Sequence, residues 1–257
     1  MKTKAAGMLF AVLALGLSAC VTHDEEMQGS ERNLHEAARI NTELGMEYLR
    51  KGNYPVAEEK LERAIEQDDD FAPAHAALAL VYQNQGDTKG AKKHFRRALS
   101  LDSEDPSTKN LFGTFLCSQG EIDDAVDYFL EAAKDRKFDH PAAAWTNAGV
   151  CIRRKPDLAK AEDYFRHALD VEPQFPDALA EMARLTYDRK DYLHARAFVQ
   201  RYDLTGLSNP EVLWIACQTE RTLGDNVAAA RYERRLHKEF PEYQPPAPVP
   251  TKAKGHS

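Results

Sequence analysis

Residues 72–105 read APAHAALALVYQNQGDTKGAKKHFRRALSLDSED, and this stretch decides the fold because its punctuation recurs along the chain. Its glycine, Gly86, lies 34 residues from both Gly52 and Gly120, and Gly224 keeps the same phase farther on. Alanines recur in step with spacings of 34, 34, 36, 34 and 34, at Ala57, Ala91, Ala125, Ala161, Ala195 and Ala229. Because glycine adopts turn conformations without steric cost, a glycine at a fixed period predicts a chain of helical hairpins.

A period of 34 with this alanine resembles the tetratricopeptide repeat, or TPR. In the stretch quoted, the remaining TPR positions are Leu78, Ala79 and Tyr82 in the first helix, and Phe95 and Ala98 in the second. One hairpin is too small to hide its apolar face, so neighbouring hairpins must cover it. We therefore predict an all-α fold, a right-handed superhelical solenoid of six TPR helical hairpins.

The repeats set the predicted organisation of the chain. The six hairpins are expected over residues 38–71, 72–105, 106–139, 142–175, 176–209 and 210–243, and the last two depart most from the pattern. Before them we expect a signal peptide over 1–19 and a polar tether over 20–37. After them comes a proline-rich tail over 244–257, a composition that cannot form a packed core.

The N-terminus resembles a secretory signal. Lys2 and Lys4 precede a short apolar run, and residues 17–20 then read LSAC. This motif resembles the lipobox of bacterial lipoproteins, which implies cleavage before Cys20 and lipid attachment to its sulfur. The alternatives are an ordinary signal peptide with a chance cysteine, or an uncleaved anchor. Since Val21 and not aspartate follows the cysteine, resemblance to the lipoprotein sorting rule implies the outer membrane, with the protein facing the periplasm.

Composition and motifs exclude several classes of function. The chain has 34 basic and 41 acidic residues, a net charge of −7, without the basic stripe that nucleic-acid binding requires. We find no Gly-x-Ser-x-Gly elbow, no phosphate-binding glycine loop and no His-Glu-x-x-His zinc helix. We therefore expect no catalysis, cofactor, metal or small-molecule substrate; the alternative is an enzyme with an unfamiliar site. The acidic run at 68–70 is interpreted as a solvated turn in preference to a cation site.

Three cysteines lie within the repeats. Cys117 and Cys151 fall near the ends of the first helices of repeats three and four. Because those helices pack side by side in a TPR array, a disulfide can join them in an oxidising compartment such as the periplasm. The alternative is two small buried thiols that never meet. Cys217 occupies a small-residue position of helix contact and is expected in the core.

A TPR array binds partners in a concave groove lined by its first helices. In repeats one and two the groove-facing positions are Thr42, Met46, Leu49, Arg50, Ala76, Leu80, Gln83 and Asn84. In repeats three and four they are Asn110, Thr114, Ser118, Thr146, Arg153 and Arg154. The N-terminal set is apolar beyond what folding requires, and an apolar patch rimmed by polar groups marks an interaction site. We expect an apolar partner segment to dock there.

The lipobox, short tether and six TPRs together resemble the PilF/PilW pilotins of type IV pilus systems. The resemblance is carried locally by residues 44–49 (LGMEYL), 72–79 (APAHAALA) and 176–183 (PDALAEMA). It implies a lipoprotein that binds the secretin subunit, promotes its outer-membrane localisation and oligomerisation, and is needed for pilus biogenesis and stability. The alternative is a periplasm-facing lipoprotein scaffold for cell-wall enzymes or for outer-membrane protein assembly.

Overall fold

The computed structural model describes residues 18–155 and 157–245, with side chains from residue 32 onward. Most of the predicted signal peptide, the side chain of Cys20 and most of the proline-rich tail lie outside these described residues. Within them the chain forms twelve helices and no strand, as the all-α prediction requires. The helices are α1 (Ser18–Arg50), α2 (Tyr54–Gln67), α3 (Ala72–Gln85), α4 (Thr88–Leu101), α5 (Pro106–Ser118), α6 (Ile122–Lys134), α7 (Pro141–Ile152), α8 (Leu158–Val171), α9 (Pro176–Asp188), α10 (Tyr192–Asp203), α11 (Pro210–Thr222) and α12 (Asn226–Glu239).

Two compact units divide these helices, the first ending at Thr108 and the second beginning at Lys109. In unit 1, α1 pairs with α2, α3 pairs with α4, and α2 packs against α3. The helices of the first hairpin approach closely at Gly45, where a Cβ atom would lie 2.5 Å from Cγ of Leu61. Leu61 in turn belongs to a buried cluster with Leu78 of the second hairpin. Each hairpin therefore covers the apolar face of its neighbour.

Unit 2 repeats this arrangement. Its hairpins α7–α8, α9–α10 and α11–α12 pack in sequence, with α6 on α7, α8 on α9 and α10 on α11. A large aromatic ring again fills the space beside a glycine, since a Cβ on Gly149 would lie within 2.9 Å of three ring carbons of Phe165. Gly113 stands in the same relation to Phe129. The predicted pairing of a small residue in the first helix with a bulky one in the second is present in both units.

In five of the six hairpins the turn between the two helices contains a left-handed residue, at position 52, 86, 120, 190 or 224. Gly86 and Gly120 both have φ of +83°, a conformation that glycine adopts freely. Repeat five has Lys190 at the equivalent position, still left-handed with φ of +62°. The left-handed turn is therefore kept in repeat five although the glycine is missing. Lys190 adopts this conformation at a steric cost that glycine would not have.

The N-terminal helix is longer than the first repeat. Where we expected a polar tether over residues 20–37, α1 is helical from Ser18 onward. Its middle part is fixed on unit 1, because His35 Nδ1 lies 2.6 Å from a carboxylate oxygen of Asp68 and the His35 ring meets the edge of Phe71. Ala38, one turn farther on, is fully buried. Contacts with the second helix thus extend the first helix beyond the repeat pattern.

The two C-terminal repeats keep the packing with different residues. Tyr202 takes the usual alanine position of repeat five and is buried. In repeat six Tyr232 and Leu236 fill the core, while Glu233 turns outward to an ion pair with Arg221 at 2.7 Å. None of the helices in the described ranges is long and apolar enough to span a membrane.

Candidate functional site

The predicted groove of unit 1 is only partly a surface. Thr42 and Ala76 are each 7% exposed, and the Thr42 hydroxyl donates to the carbonyl of Ala38 at 2.8 Å. These two residues lie in the contacts between helices, so very little of their surface is accessible to a partner. Sequence periodicity placed them correctly around the helix but could not show how closely the neighbouring helix approaches.

The other six predicted residues of this groove keep some exposure. Met46 and Leu49 are half-buried against the cluster that contains Leu78, and Leu80 is half-buried as well. Arg50 and Asn84 are exposed and Gln83 is half-buried. The amide of Asn84 donates to the carbonyl of Leu80 at 2.8 Å, while Oε1 of Gln83 is buried and accepts no hydrogen bond within the described residues. The remaining apolar surface is therefore Met46, Leu49 and Leu80, with amides beside it.

A second apolar surface of unit 1 was not predicted. Leu34, Ile40 and Leu44 on α1 are 47%, 45% and 39% exposed, and we call these three residues the apolar stripe. Leu44 occupies the TPR position that Leu78 takes in repeat two, and Leu78 packs on α2 of the preceding hairpin. Within the described residues no hairpin precedes α1, so nothing there covers Leu44. The signal was present in the sequence as apolar residues on one side of α1 without a preceding repeat.

In unit 2 the structure joins Cys117 and Cys151 by a disulfide whose Cα atoms are 5.9 Å apart. The two residues lie near the ends of α5 and α7, 34 residues apart in sequence. Cys217 is a buried free thiol, as expected of a core position, and burial raises its pKa. A thiol held in its protonated form is a poor nucleophile, so Cys217 is not suited to covalent chemistry.

The predicted groove residues of repeats three and four are engaged within the chain. Arg153 forms an ion pair with Glu181, and the guanidinium of Arg154 donates to the carbonyl of Cys117. Thr146 is buried with its hydroxyl on a backbone carbonyl of its own helix. Of the other predicted residues, Asn110 accepts a side-chain hydrogen bond from Asn147 at 3.1 Å, Thr114 donates to a carbonyl of its helix, and Ser118 donates to another. The charge of Arg153 is therefore paired within the chain, and the guanidinium of Arg154 is held by a backbone carbonyl.

A cavity of about 280 Å³ lies on the first helices of unit 2. We call it the acidic cavity, and it is lined by Thr146, Asn147, Val150, Asp177, Ala180, Glu181, Arg184, Asn209, Glu211 and Val212. Of these residues, only Thr146 was predicted to face the groove. A usable signal was present, since Asp177 and Glu211 each follow a proline and are 34 residues apart. Carboxylates in the first turn of a helix also interact favourably with its dipole, which is the structural explanation for the same pattern.

Two histidines meet inside unit 1, although sequence spacing had not paired them. His75 is 3% exposed, and its Nδ1 lies 3.1 Å from Nδ1 of His94. Burial and the neighbouring His75 lower the pKa of His94 to about 4. Asp69 and Asp70 of the acidic run pair with Arg97, which agrees with a turn and not with a cation site. No group of three or more potential metal ligands occurs in the described part of the chain.

Comparisons with known proteins agree with this geometry. A family model described as tetratricopeptide repeat matches residues 42–106 and 116–178. The chain is 32% identical over 246 residues to the type IV pilus assembly protein PilF of Pseudomonas aeruginosa strain PAO1, covering 94% of this chain and 97% of the relative. The solved structure of P. aeruginosa PilF matches with a TM-score of 0.74 and 30% identity, over 82% of this chain and 95% of the other. PilW, a widely conserved type IV pilus biogenesis factor, gives 0.70 and 29%, over 80% and 95%.

Proposed function

The chain belongs to the PilF family of tetratricopeptide repeat proteins, and from this premise we propose that it binds the type IV pilus secretin at the outer membrane. In this proposal it promotes the localisation and oligomerisation of the secretin, and it is needed for pilus biogenesis and stability. The observation that carries the proposal is the match to PilF over 97% of that protein's length. The fold alone would not carry it, since TPR arrays serve many unrelated partners.

The proposed mechanism uses two parts of the protein, a lipid anchor and a binding surface. Lipid on Cys20 supplies the anchor, and two acyl chains already hold a protein stably at a membrane. Unit 1 supplies the binding surface through the half-buried Met46 and Leu49 and through the apolar stripe. Anchoring raises the effective concentration of partner and carrier at the same membrane, so modest affinity at this surface suffices. No catalytic step is required.

Deletion of the gene tests the proposal directly. We expect the heat- and detergent-resistant oligomers of the secretin to disappear, surface pili to be lost, and the secretin monomer to accumulate in the inner membrane. Normal oligomers and normal pili in the deletion strain would contradict the proposal and favour a scaffold for cell-wall enzymes. Crosslinking from unit 1 would then identify the wall-associated partner.

Point variants of unit 1 locate the binding surface. Met46→Glu with Leu49→Glu tests the groove, and Ile40→Glu with Leu44→Glu tests the apolar stripe. A buried charge at either surface should reduce secretin capture at least tenfold, since placing a carboxylate on an apolar contact costs more than about 1.4 kcal/mol. Leu193→Glu is the matched control, because this leucine is 68% exposed but lies in unit 2. If neither pair of changes weakens capture by a folded protein, the binding surface is not in unit 1.

The lipid anchor has its own test. Cys20→Ala removes the sulfur that would carry the lipid, so the variant should leave the outer-membrane fraction. Mass spectrometry of the purified wild-type protein should at the same time show acyl chains on residue 20. An unchanged proportion of the variant in the outer-membrane fraction would remove the anchor from the mechanism.

A further inference from the structure

The acidic cavity of unit 2 has no part in the proposed recognition of an apolar segment. Its walls come from α7, α9 and α11, and each of these helices contributes polar side chains. Three carboxylates line it, those of Asp177, Glu181 and Glu211, against one lining arginine, Arg184. Val150, which is 36% exposed, adds apolar surface, whereas Val212 is buried in the wall of the cavity. The combination suits a segment that has both apolar and positively charged side chains.

The charges of the acidic cavity are not balanced. Glu211 pairs with Arg184 at 3.2 Å, and Glu181 pairs with Arg153 from outside the lining. Asp177 forms no ion pair or side-chain hydrogen bond within residues 32–155 and 157–245. The carboxylate of Asp177 is therefore an unpaired negative charge at the cavity, and a lysine from a bound segment would neutralise it.

The last described residues of the chain, which follow α12, lie near the acidic cavity. After α12 ends at Glu239, a turn closes with the amide of Tyr243 donating to the carbonyl of Phe240 at 3.0 Å. Tyr243 is half-buried. Burial raises its pKa, and the charge of Glu211 raises the same pKa further while that of Arg184 lowers it. The hydroxyl of Ser208 donates to the carboxylate of Glu239, so the end of α12 lies next to the start of α11, where Asn209 lines the acidic cavity. Tyr243 follows four residues later, near the rim of the cavity.

The residues that follow Tyr243 have the matching chemistry. Prolines stand at 245, 246, 248 and 250, lysines at 252 and 254, and no acidic residue follows Glu242. A proline-rich segment spans about 3.1 Å per residue, so the nine residues from Tyr243 to Lys252 reach about 28 Å. Packed helices lie about 8–10 Å apart, which puts α7 roughly 20 Å from α11. The segment is therefore long enough to cross the cavity.

We propose that residues 246–254, the C-terminal segment, occupy the acidic cavity of their own chain, with a lysine against Asp177 and a proline against Val150. The concave surface of unit 2 is then self-occupied, and a basic, proline-containing segment of another protein has to displace it. This inference concerns unit 2 alone, so its failure leaves the proposed role of unit 1 untouched.

A competition experiment with the full chain tests this inference. The probe is a fluorescent peptide of residues 244–257, and binding is followed by anisotropy at low salt. In the wild-type chain the attached segment competes at an effective concentration of about 1 mM, typical of a short flexible connection. In the full chain with Lys252→Glu and Lys254→Glu that competitor is disabled, because its charges are reversed. If the free peptide binds with a Kd of about 0.1 mM, its apparent affinity should be about tenfold higher for the charge-reversed chain.

Two further variants in the charge-reversed chain identify the site. Asp177→Asn should weaken peptide binding at least threefold, and the binding that remains should depend less on salt. Glu172→Gln is the matched control, because Glu172 is exposed at the end of α8 and does not line the cavity. Circular dichroism confirms that both variants are folded. Equal peptide affinity for the wild-type and charge-reversed chains, equal effects of the two substitutions, or absence of peptide binding would each overturn the proposal.

Discussion

The disulfide between Cys117 and Cys151 predicts a large, removable contribution to the stability of unit 2. The two residues are 34 apart in sequence, and the chain-entropy model gives about 4 kcal/mol for closing a loop of that length. Reducing the bond, or replacing both cysteines with alanine, should lower the free energy of unfolding by about that amount. For a unit the size of Lys109–Ser257, each kcal/mol shifts Tm by roughly 2–4 °C, so the expected loss is about 10 °C.

Urea unfolding followed by far-ultraviolet circular dichroism measures this contribution. Dithiothreitol should lower the unfolding midpoint of the wild-type protein and leave the double alanine variant unchanged. The reduced wild type and the double variant differ only in the packing of two sulfur atoms, and Cys151 is fully buried, so their difference isolates the packing contribution. Cys217→Ala is the matched control, because this variant removes a buried free thiol and should keep the full response to reductant.

One result would refute the reasoning about the bridge. If oxidised and reduced wild-type protein unfold at the same urea concentration, the cross-link does not constrain the unfolded chain. Cys117 and Cys151 would then be the two separate thiols that the sequence also allowed. A response to reductant that disappears in Cys217→Ala would be equally damaging, because it would assign the redox-sensitive bond to a different cysteine.

Other predictions follow from single contacts. Gly149→Ala should lower the free energy of unfolding by about 1–2 kcal/mol in chemical denaturation, because the clash of the added methyl group with the buried Phe165 ring outweighs the gain in helix propensity. In a double-mutant cycle, Phe165→Leu should relieve this clash. Lys190→Gly should stabilise by about 0.5–1 kcal/mol, since it removes a left-handed lysine. The pKa of His94 is lowered to about 4 from an unfolded value of 6.5, so stability should fall as pH drops from 6.5 to 4. His94→Asn should remove about 1–2 kcal/mol of that loss. This value is discounted because the His94 ring, beside His75, is partly exposed. Unfolding of the wild type and the variant as a function of pH measures the difference.

The fold was predictable from the sequence because each repeat encodes the same packing between its two helices. A glycine beside a bulky residue, as at Gly149 and Phe165, signals two helices in close approach wherever it recurs. The predicted TPR fold and family are confirmed by the helices and by the relation to PilF. The start of α1 was not predictable in this way. The repeat pattern does not relate His35 to Asp68 and Phe71, the residues that hold this part of α1 against unit 1.

The binding surfaces were less predictable than the fold, because exposure depends on what covers each residue. Periodicity assigned Thr42 and Ala76 to the groove, but the neighbouring helices bury them. Leu44 occupies the same repeat position as the buried Leu78, but without a described hairpin before α1 it is exposed. Cys117 and Cys151 behaved differently, since both lie near the ends of the first helices of neighbouring repeats, and those helices pack side by side.

The two surfaces differ in a way that separates them experimentally. Unit 1 presents the aliphatic side chains of Ile40, Leu44 and Met46, and burial of aliphatic surface depends little on ionic strength. The acidic cavity of unit 2 presents the unpaired carboxylate of Asp177, and attraction between exposed charges is screened over about 10 Å at 0.1 M salt. A partner segment whose affinity survives 0.5 M salt is therefore assigned to unit 1, and one whose affinity collapses is assigned to the acidic cavity. A partner that uses both surfaces should lose only the salt-sensitive part of its affinity, and Asp177→Asn should remove that same part at low salt.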